Sequence, residues 1–187
     1  MTAYHTEELT RAGLTFRVEH HYDHDSNEPW NECDGHGPVS DWTSRDERPG
    51  ELVLNSDRGS KRFYDYAEAC RIALRDGWNT APYGVPGGTK RQRAARAAMA
   101  DFERLRDWCS DRWHWCGVVV VLLDDEGEKL DRASLWGIES DAGQYLDEVA
   151  AELADELAAS AAEKATAKAA SLAALAARAT ATQDQQQ

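Results

Sequence analysis

The sequence has no long hydrophobic run. Its longest strongly apolar stretch, Val118 to Leu123, is much shorter than the roughly 20 apolar residues that a membrane-spanning helix needs. The first residues, MTAYHTEELTRAG, lack the apolar segment of a secretory signal peptide. We therefore expect no contact with membranes and a location in the cytoplasm.

Cysteines are few, and acidic side chains outnumber basic ones. The four cysteines are expected as thiols or metal ligands in a reducing cytosol, and not as disulfides. The 21 basic and 34 acidic side chains give a net charge of −13. Nucleic acids and anionic membranes would repel such a chain, so we predict no direct binding to either. The charge favours a basic protein partner or imitation of a polyanion.

No cofactor motif is present either. The glycine-rich segment GVPGGTK, residues 84–90, places its residues in the wrong order for a phosphate-binding loop, and no strand is predicted before it. No cofactor is therefore predicted.

The apolar content is sufficient for a folded core. Hydrophobic residues make up 42% of the chain and include seven tryptophans. We predict a single acidic domain over residues 1–158, an alanine-rich helical extension over 159–180 and a disordered tail over 181–187. The predicted fold is α+β, with a small, mostly antiparallel sheet built on a central hairpin and packed by about three helices.

Alternation and β-branched residues locate the strands. Residues 14–22 and 51–55 are predicted strands, and the polar stretch 23–50 between them is predicted as a loop. Residues 113–124 form the clearest strand, and residues 132–138 are its expected hairpin partner. At the end of that partner, Trp136 and Ile138 are both expected to face the core.

Capping residues locate the helices. Asp65 and Glu68 form a capping box for a helix over 66–76, which Gly77 ends. Thr89 caps a second predicted helix, residues 90–110. A third helix follows Asp141 and Gln144. Its expected core-facing residues are Leu146, Val149, Leu153 and Leu157.

Acidic residues cluster on the last helix and on the hairpin turn before it. The predicted acidic surface consists of Asp124, Asp125, Glu126, Glu128, Asp147, Glu148, Glu152, Asp155 and Glu156. Carboxylates at helical spacing lie about 5–6 Å apart between Cβ atoms, comparable with the phosphate steps of a nucleic acid strand. We interpret them as a surface that imitates nucleic acid and binds a protein with a basic or nucleic-acid-binding surface.

A basic patch begins the second helix. Its members are Lys90, Arg91, Arg93 and Arg96. Cations at a helix N-terminus oppose the helix dipole, so local stability does not explain them. The patch suits a phosphate or the acidic surface of a second copy, and the latter would give a homo-oligomer.

Histidine, aspartate and cysteine crowd the N-terminal third and allow a metal site. The weak candidate ligands are His24, Cys33, His36 and Cys116. Cys33 and His36 have the short spacing of half a zinc site. His20 or His24 with Asp23 or Asp25 would suit acid–base chemistry if the side chains converged. A metal-binding enzyme or sensor is therefore an alternative, but we favour a non-enzyme and predict no catalytic residues.

Three segments resemble small, uncharacterised acidic proteins of tailed bacteriophages. The segments are FYDYAEACRIALRDGW, ADFERLRDWCSDRWHWCGVVVVLL and SLWGIESDAGQYLDEVAAELADEL, within residues 63–157. The resemblance implies a phage origin and an accessory role in the host cytoplasm, as an inhibitor of a host defence or nucleic-acid-handling protein. A further alternative is an assembly protein that oligomerises through its C-terminal helix.

Overall fold

The computed structural model describes residues 2–57, 59–78 and 87–184, with side chains up to residue 174. In chain order the elements are β1 (His5–Arg11), β2 (Leu14–Tyr22), α1 (Pro29–Glu32), β3 (Val39–Trp42), β4 (Glu51–Asp57), β5 (Ser60–Asp65), α2 (Tyr66–Asp76), α3 (Lys90–Cys109), β6 (Trp115–Leu123), β7 (Lys129–Glu139) and α4 (Gln144–Asp184). The predicted α+β class is confirmed. The chain divides into two compact units, residues 1–23 with 115–187 and residues 24–114.

The first unit is a four-stranded antiparallel sheet with α4 on one face. The strand order is β1-β2-β6-β7, so β6 is an inner strand and its hairpin partner β7 lies at an edge. The run of valines explains the position of β6, because eight of its nine residues are buried. The predicted hairpin is confirmed, with β6 as its central strand.

The core of the first unit lies between the sheet and the start of α4. Leu146, Val149 and Leu157 are buried as predicted, and the half-buried Leu153 packs against this cluster. They meet sheet residues such as Val118. This packing fixes which face of α4 points to solvent.

The prediction that Trp136 faces the core is wrong. Ile138 is buried, but Trp136 is 39% exposed. The cause is a β-bulge, in which Trp136 and Gly137 together lie opposite the single residue Gly117. Gly137 has a φ of +73°, and the bulge moves the Trp136 ring off the α4 face and onto Gly117. A Cβ atom at Gly117 would lie 2.2 Å from the indole.

The second unit packs a three-stranded antiparallel sheet against α2 and α3. Its strand order is β3-β5-β4. The core includes Leu54, Tyr64, Ala69, Ala98, Phe102 and Leu105. The loop predicted over residues 23–50 was wrong in two places, because α1 and β3 form there. Trp30 of α1 and Val39 of β3 both pack against this core, and this packing explains why the two elements form.

The alanine-rich extension continues α4 without a break. Residues 159–180 are helical, as alanine's high helix propensity predicts. The helix also includes residues 181–184 of the tail that was predicted to be disordered. Residues 185–187 lie outside the described residues.

Candidate protein-binding surface

The acidic residues of α4 lie on its solvent side. Asp147, Glu148, Glu152, Asp155 and Glu156 are all exposed. Glu148, Glu152 and Glu156 follow one another at intervals of four residues, which corresponds to about 6 Å along the helix axis. We call these three side chains the carboxylate row. The packing of Leu146, Val149 and Leu157 on the sheet turns this row outward.

Most of these carboxylates keep their charge unpaired. Asp155 accepts two hydrogen bonds from Arg11, one of them 2.7 Å long, and this contact lowers the pKa of Asp155. Glu148 accepts a 2.9 Å hydrogen bond from the neutral side chain of Gln144. Within residues 2–57, 59–78 and 87–174, no ion pair joins any member of the carboxylate row to a cation. The row therefore presents three uncompensated negative charges.

The acidic hairpin turn is a separate group. Asp124 has a structural role, because its carboxylate accepts hydrogen bonds from the backbone N–H groups of Glu126 and Glu128 at 3.0 and 2.8 Å. Next to this turn, Asp131 pairs with Lys164 at 2.7 Å. Lys164 lies eight residues beyond the end of the carboxylate row, or about 12 Å along the helix. The exposed Asp125, Glu126 and Glu128 thus form a second acidic patch and do not extend the row.

Negative charge is concentrated in the first unit. Residues 1–23 and 115–187 carry 18 acidic and 7 basic side chains, a net charge of −11. Residues 24–114 carry 16 acidic and 14 basic side chains, a net charge of −2. The unit that presents the carboxylate row therefore holds most of the protein's net charge.

The predicted basic patch has a local role that sequence analysis did not find. Arg93 donates a 2.7 Å hydrogen bond to the carbonyl oxygen of Gly88, and Arg96 donates to that of Gly87. Both arginines therefore hold the glycine segment against the start of α3. Lys90 and Arg91 are exposed beside them.

The weak metal candidates do not converge. Within the described part of the chain, no three His, Cys, Asp or Glu side chains form a group that could hold a metal ion. His24 and Cys33 are exposed, and both belong to the second unit. Cys116 lies in the first unit, where it is fully buried and hydrogen-bonded to Tyr4, and burial raises the pKa of its thiol.

His36 belongs to a buried hydrogen-bond network instead. Its Nδ1 lies 2.6 Å from Asp101, whose carboxylate also accepts hydrogen bonds from the Tyr64 hydroxyl at 2.7 Å and the Gly37 N–H at 2.8 Å. Burial, and then the charge of Asp101, raises the pKa of Tyr64. Asp101 was not predicted from the sequence, although an aspartate one residue before Phe102 on the apolar face of α3 indicates a buried partner.

A cluster of rings, also missed from sequence, lies beside the start of α4. The rings of Tyr4 and Tyr22 are 4.9 Å apart, and that of Tyr4 is 6.1 Å from His20. The ring centres of His5 and His20 are 5.1 Å apart. Burial lowers the pKa of His20, while the nearby charge of Asp147 acts in the opposite direction. We call Tyr4 and Tyr22 the tyrosine pair.

Comparisons with known proteins add no relative. No protein family, curated protein or solved structure matches the chain. The resemblance to phage proteins therefore stays a prediction. Among the described residues, no helix combines the length and apolar character needed to cross a bilayer.

Proposed function

We propose that this protein works by binding a protein partner with a basic, nucleic-acid-binding surface, which it occupies as a polyanion mimic. The observation that carries this proposal is the carboxylate row, Glu148, Glu152 and Glu156. The three side chains are exposed on a helix that is held against a sheet. They repeat at about 6 Å along the helix axis and so form a regular line of negative charge, as the phosphates of a nucleic acid strand also do.

The carboxylate row destabilises its own helix, and this cost in stability supports a binding role. Like charges four residues apart destabilise a helix by about 0.2–0.5 kcal/mol for each pair, and the row contains two such pairs. The same helix mixes its charges further on, at Glu163, Lys164 and Lys168. A basic partner would relieve the repulsion that the chain itself leaves in place.

The negative charge of the protein and its predicted resemblance to phage proteins both indicate the class of partner. Since nucleic acid and anionic lipid are repelled, a basic protein surface is the complementary target. The predicted resemblance to small phage proteins supports a target in the bacterial host, among defence or nucleic-acid-handling proteins. The protein would then act in the host cytoplasm, without chemistry of its own.

Affinity capture with charge-reversed variants tests this proposal. The tagged protein is incubated with host lysate, and the proteins retained after low-salt and high-salt washes are identified by mass spectrometry. We expect one dominant basic partner that is lost when Glu148→Lys, Glu152→Lys and Glu156→Lys are combined.

The matched control combines Asp125→Lys, Glu126→Lys and Glu128→Lys in the hairpin turn. It changes the net charge by the same amount but leaves the row intact, and we expect it to retain the partner. Equal loss in both variants would show that only net charge matters. Absence of a specific partner in either wash would refute the proposal.

A further inference from the structure

The tyrosine pair offers exposed aromatic surface next to the acidic face of α4. Tyr4 is 40% and Tyr22 is 45% exposed, although both rings pack against each other. The Tyr4 side chain is hydrogen-bonded to Cys116, and Cys116 belongs to the same buried cluster as Leu146, so the pair lies near the first turn of α4. Tyrosine is enriched at the centres of protein interfaces because its ring contributes large contact area at low entropic cost.

In the second unit of the protein, an arginine side chain contacts aromatic rings and a carboxylate at the same time. The guanidinium carbon of Arg45 lies 4.4 Å from the Trp42 ring centre and 4.5 Å from that of Phe63. The same guanidinium donates two hydrogen bonds to Glu51, at 2.6 and 2.9 Å. Arginine thus stacks and forms a bidentate pair at once.

A second site repeats this arrangement. Arg62 lies 4.6 Å from the ring centre of Trp30 and donates hydrogen bonds to Asp41 at 2.7 and 2.8 Å. The planar guanidinium allows both contacts, whereas the compact ammonium of lysine is strongly hydrated and lacks the fork geometry. A ring with a neighbouring carboxylate therefore favours arginine over lysine.

We propose that the tyrosine pair, together with the exposed carboxylates of α4, binds arginine side chains of the basic protein partner. The inference rests on the proposed function and deepens it, because it makes the partner surface rich in arginine. The rings stack on guanidinium groups, and the carboxylates supply the charge complementarity. The tyrosine pair is then the part of the interface that distinguishes arginine from lysine.

Binding of two model peptides tests this inference. A short oligo-arginine peptide and an oligo-lysine peptide of the same length are titrated into the full chain at one fixed ionic strength, with fluorescence anisotropy as the measurement. We expect the arginine peptide to bind about two- to fivefold more tightly, as exposed cation–π contacts imply. Tyr22→Ala should abolish this difference, and Tyr22→Phe, which keeps a ring, should preserve it.

Two further outcomes separate this inference from the proposed function. If both peptides bind with equal affinity and combined Glu148→Gln, Glu152→Gln and Glu156→Gln weakens both, the tyrosine pair has no role but the carboxylate row binds cations. If neither peptide binds, or if that triple variant binds as wild type does, the proposed function fails as well. Unchanged circular dichroism in each variant confirms that the fold is intact.

Discussion

At the scale of single residues, Asp101 organises the second unit. It accepts three hydrogen bonds, from His36, Gly37 and Tyr64, and connects the segment before β3 and strand β5 to helix α3. Removal of a buried acceptor leaves its donors unsatisfied, at about 1–3 kcal/mol for each buried group. A side chain at position 37 would not fit, since a Cβ atom on Gly37 would lie 2.5 Å from the Tyr64 ring.

We predict that Asp101→Ala lowers the free energy of unfolding by about 1–3 kcal/mol, because it leaves the buried Gly37 N–H without an acceptor and the Tyr64 hydroxyl with only the Ala98 carbonyl, at 3.1 Å. Equilibrium denaturation in urea measures the change. Glu103→Ala is the matched control on the exposed face of the same helix, and a surface change of this kind stays within about 0.5 kcal/mol. Similar midpoints for the two variants would contradict the structural role of Asp101.

A second prediction at this scale concerns His20. Its folded-state pKa is lowered from the ordinary value of 6.5, first by burial and then by His5. The unfolded chain therefore binds the proton more strongly, so the stabilising contribution is present above the unfolded pKa and is lost as pH falls below it. We expect the loss of stability between about pH 7 and about pH 5.5 to be smaller in His20→Gln than in the wild type. Denaturation curves at the two pH values check this, and identical losses would contradict it.

At the scale of elements, the sequence was most informative where capping or burial is strong. The N-cap Asp65 and the C-cap Gly77 located α2, Thr89 located the start of α3, and the run of valines located β6. Strand β1 was missed because it is a polar edge strand with a single partly buried residue, Leu9. Its position depends on pairing with β2, a contact that no local pattern encodes.

The position of Trp136 was missed for a related reason. The alternation of a strand assigned it to the same face as Ile138, but the bulge at Gly137 shifts the alternation by one residue. The candidate surface shows the same limit. Local sequence located the exposed carboxylates of α4, whereas the tyrosine pair depends on contacts between distant segments. A pattern within one element cannot show which residues another element brings beside it.

The distal part of α4 gives an element-scale prediction. Beyond Ala161, no residue up to 174 belongs to a buried cluster, and Leu172 is 58% exposed. Because residues 162–174 bury so little, deletion of residues 165–187 should leave the thermal midpoint nearly unchanged while reducing the helical circular dichroism signal. A drop in solution mass beyond the deleted segment, measured by light scattering, would instead favour assembly through the C-terminal helix.

At the scale of the whole molecule, charge is divided unequally between two compact units. The first unit has a net charge of −11 and carries both the carboxylate row and the tyrosine pair, while the second has a net charge of −2. Such a division suits a protein that approaches its partner with one unit, because a concentrated field increases the rate of association with an opposite charge. We expect added salt to weaken binding mainly by slowing association.

Competition with nucleic acid is the most direct test of polyanion mimicry. The captured partner is first bound to a labelled nucleic acid, and the wild-type protein is then added while the bound label is measured by gel shift. The account predicts that wild type displaces the nucleic acid, that the Glu148→Lys, Glu152→Lys, Glu156→Lys variant does not, and that the hairpin-turn control still does. A ternary complex in which the partner holds both ligands would contradict the claim that the carboxylate row occupies the nucleic-acid-binding surface.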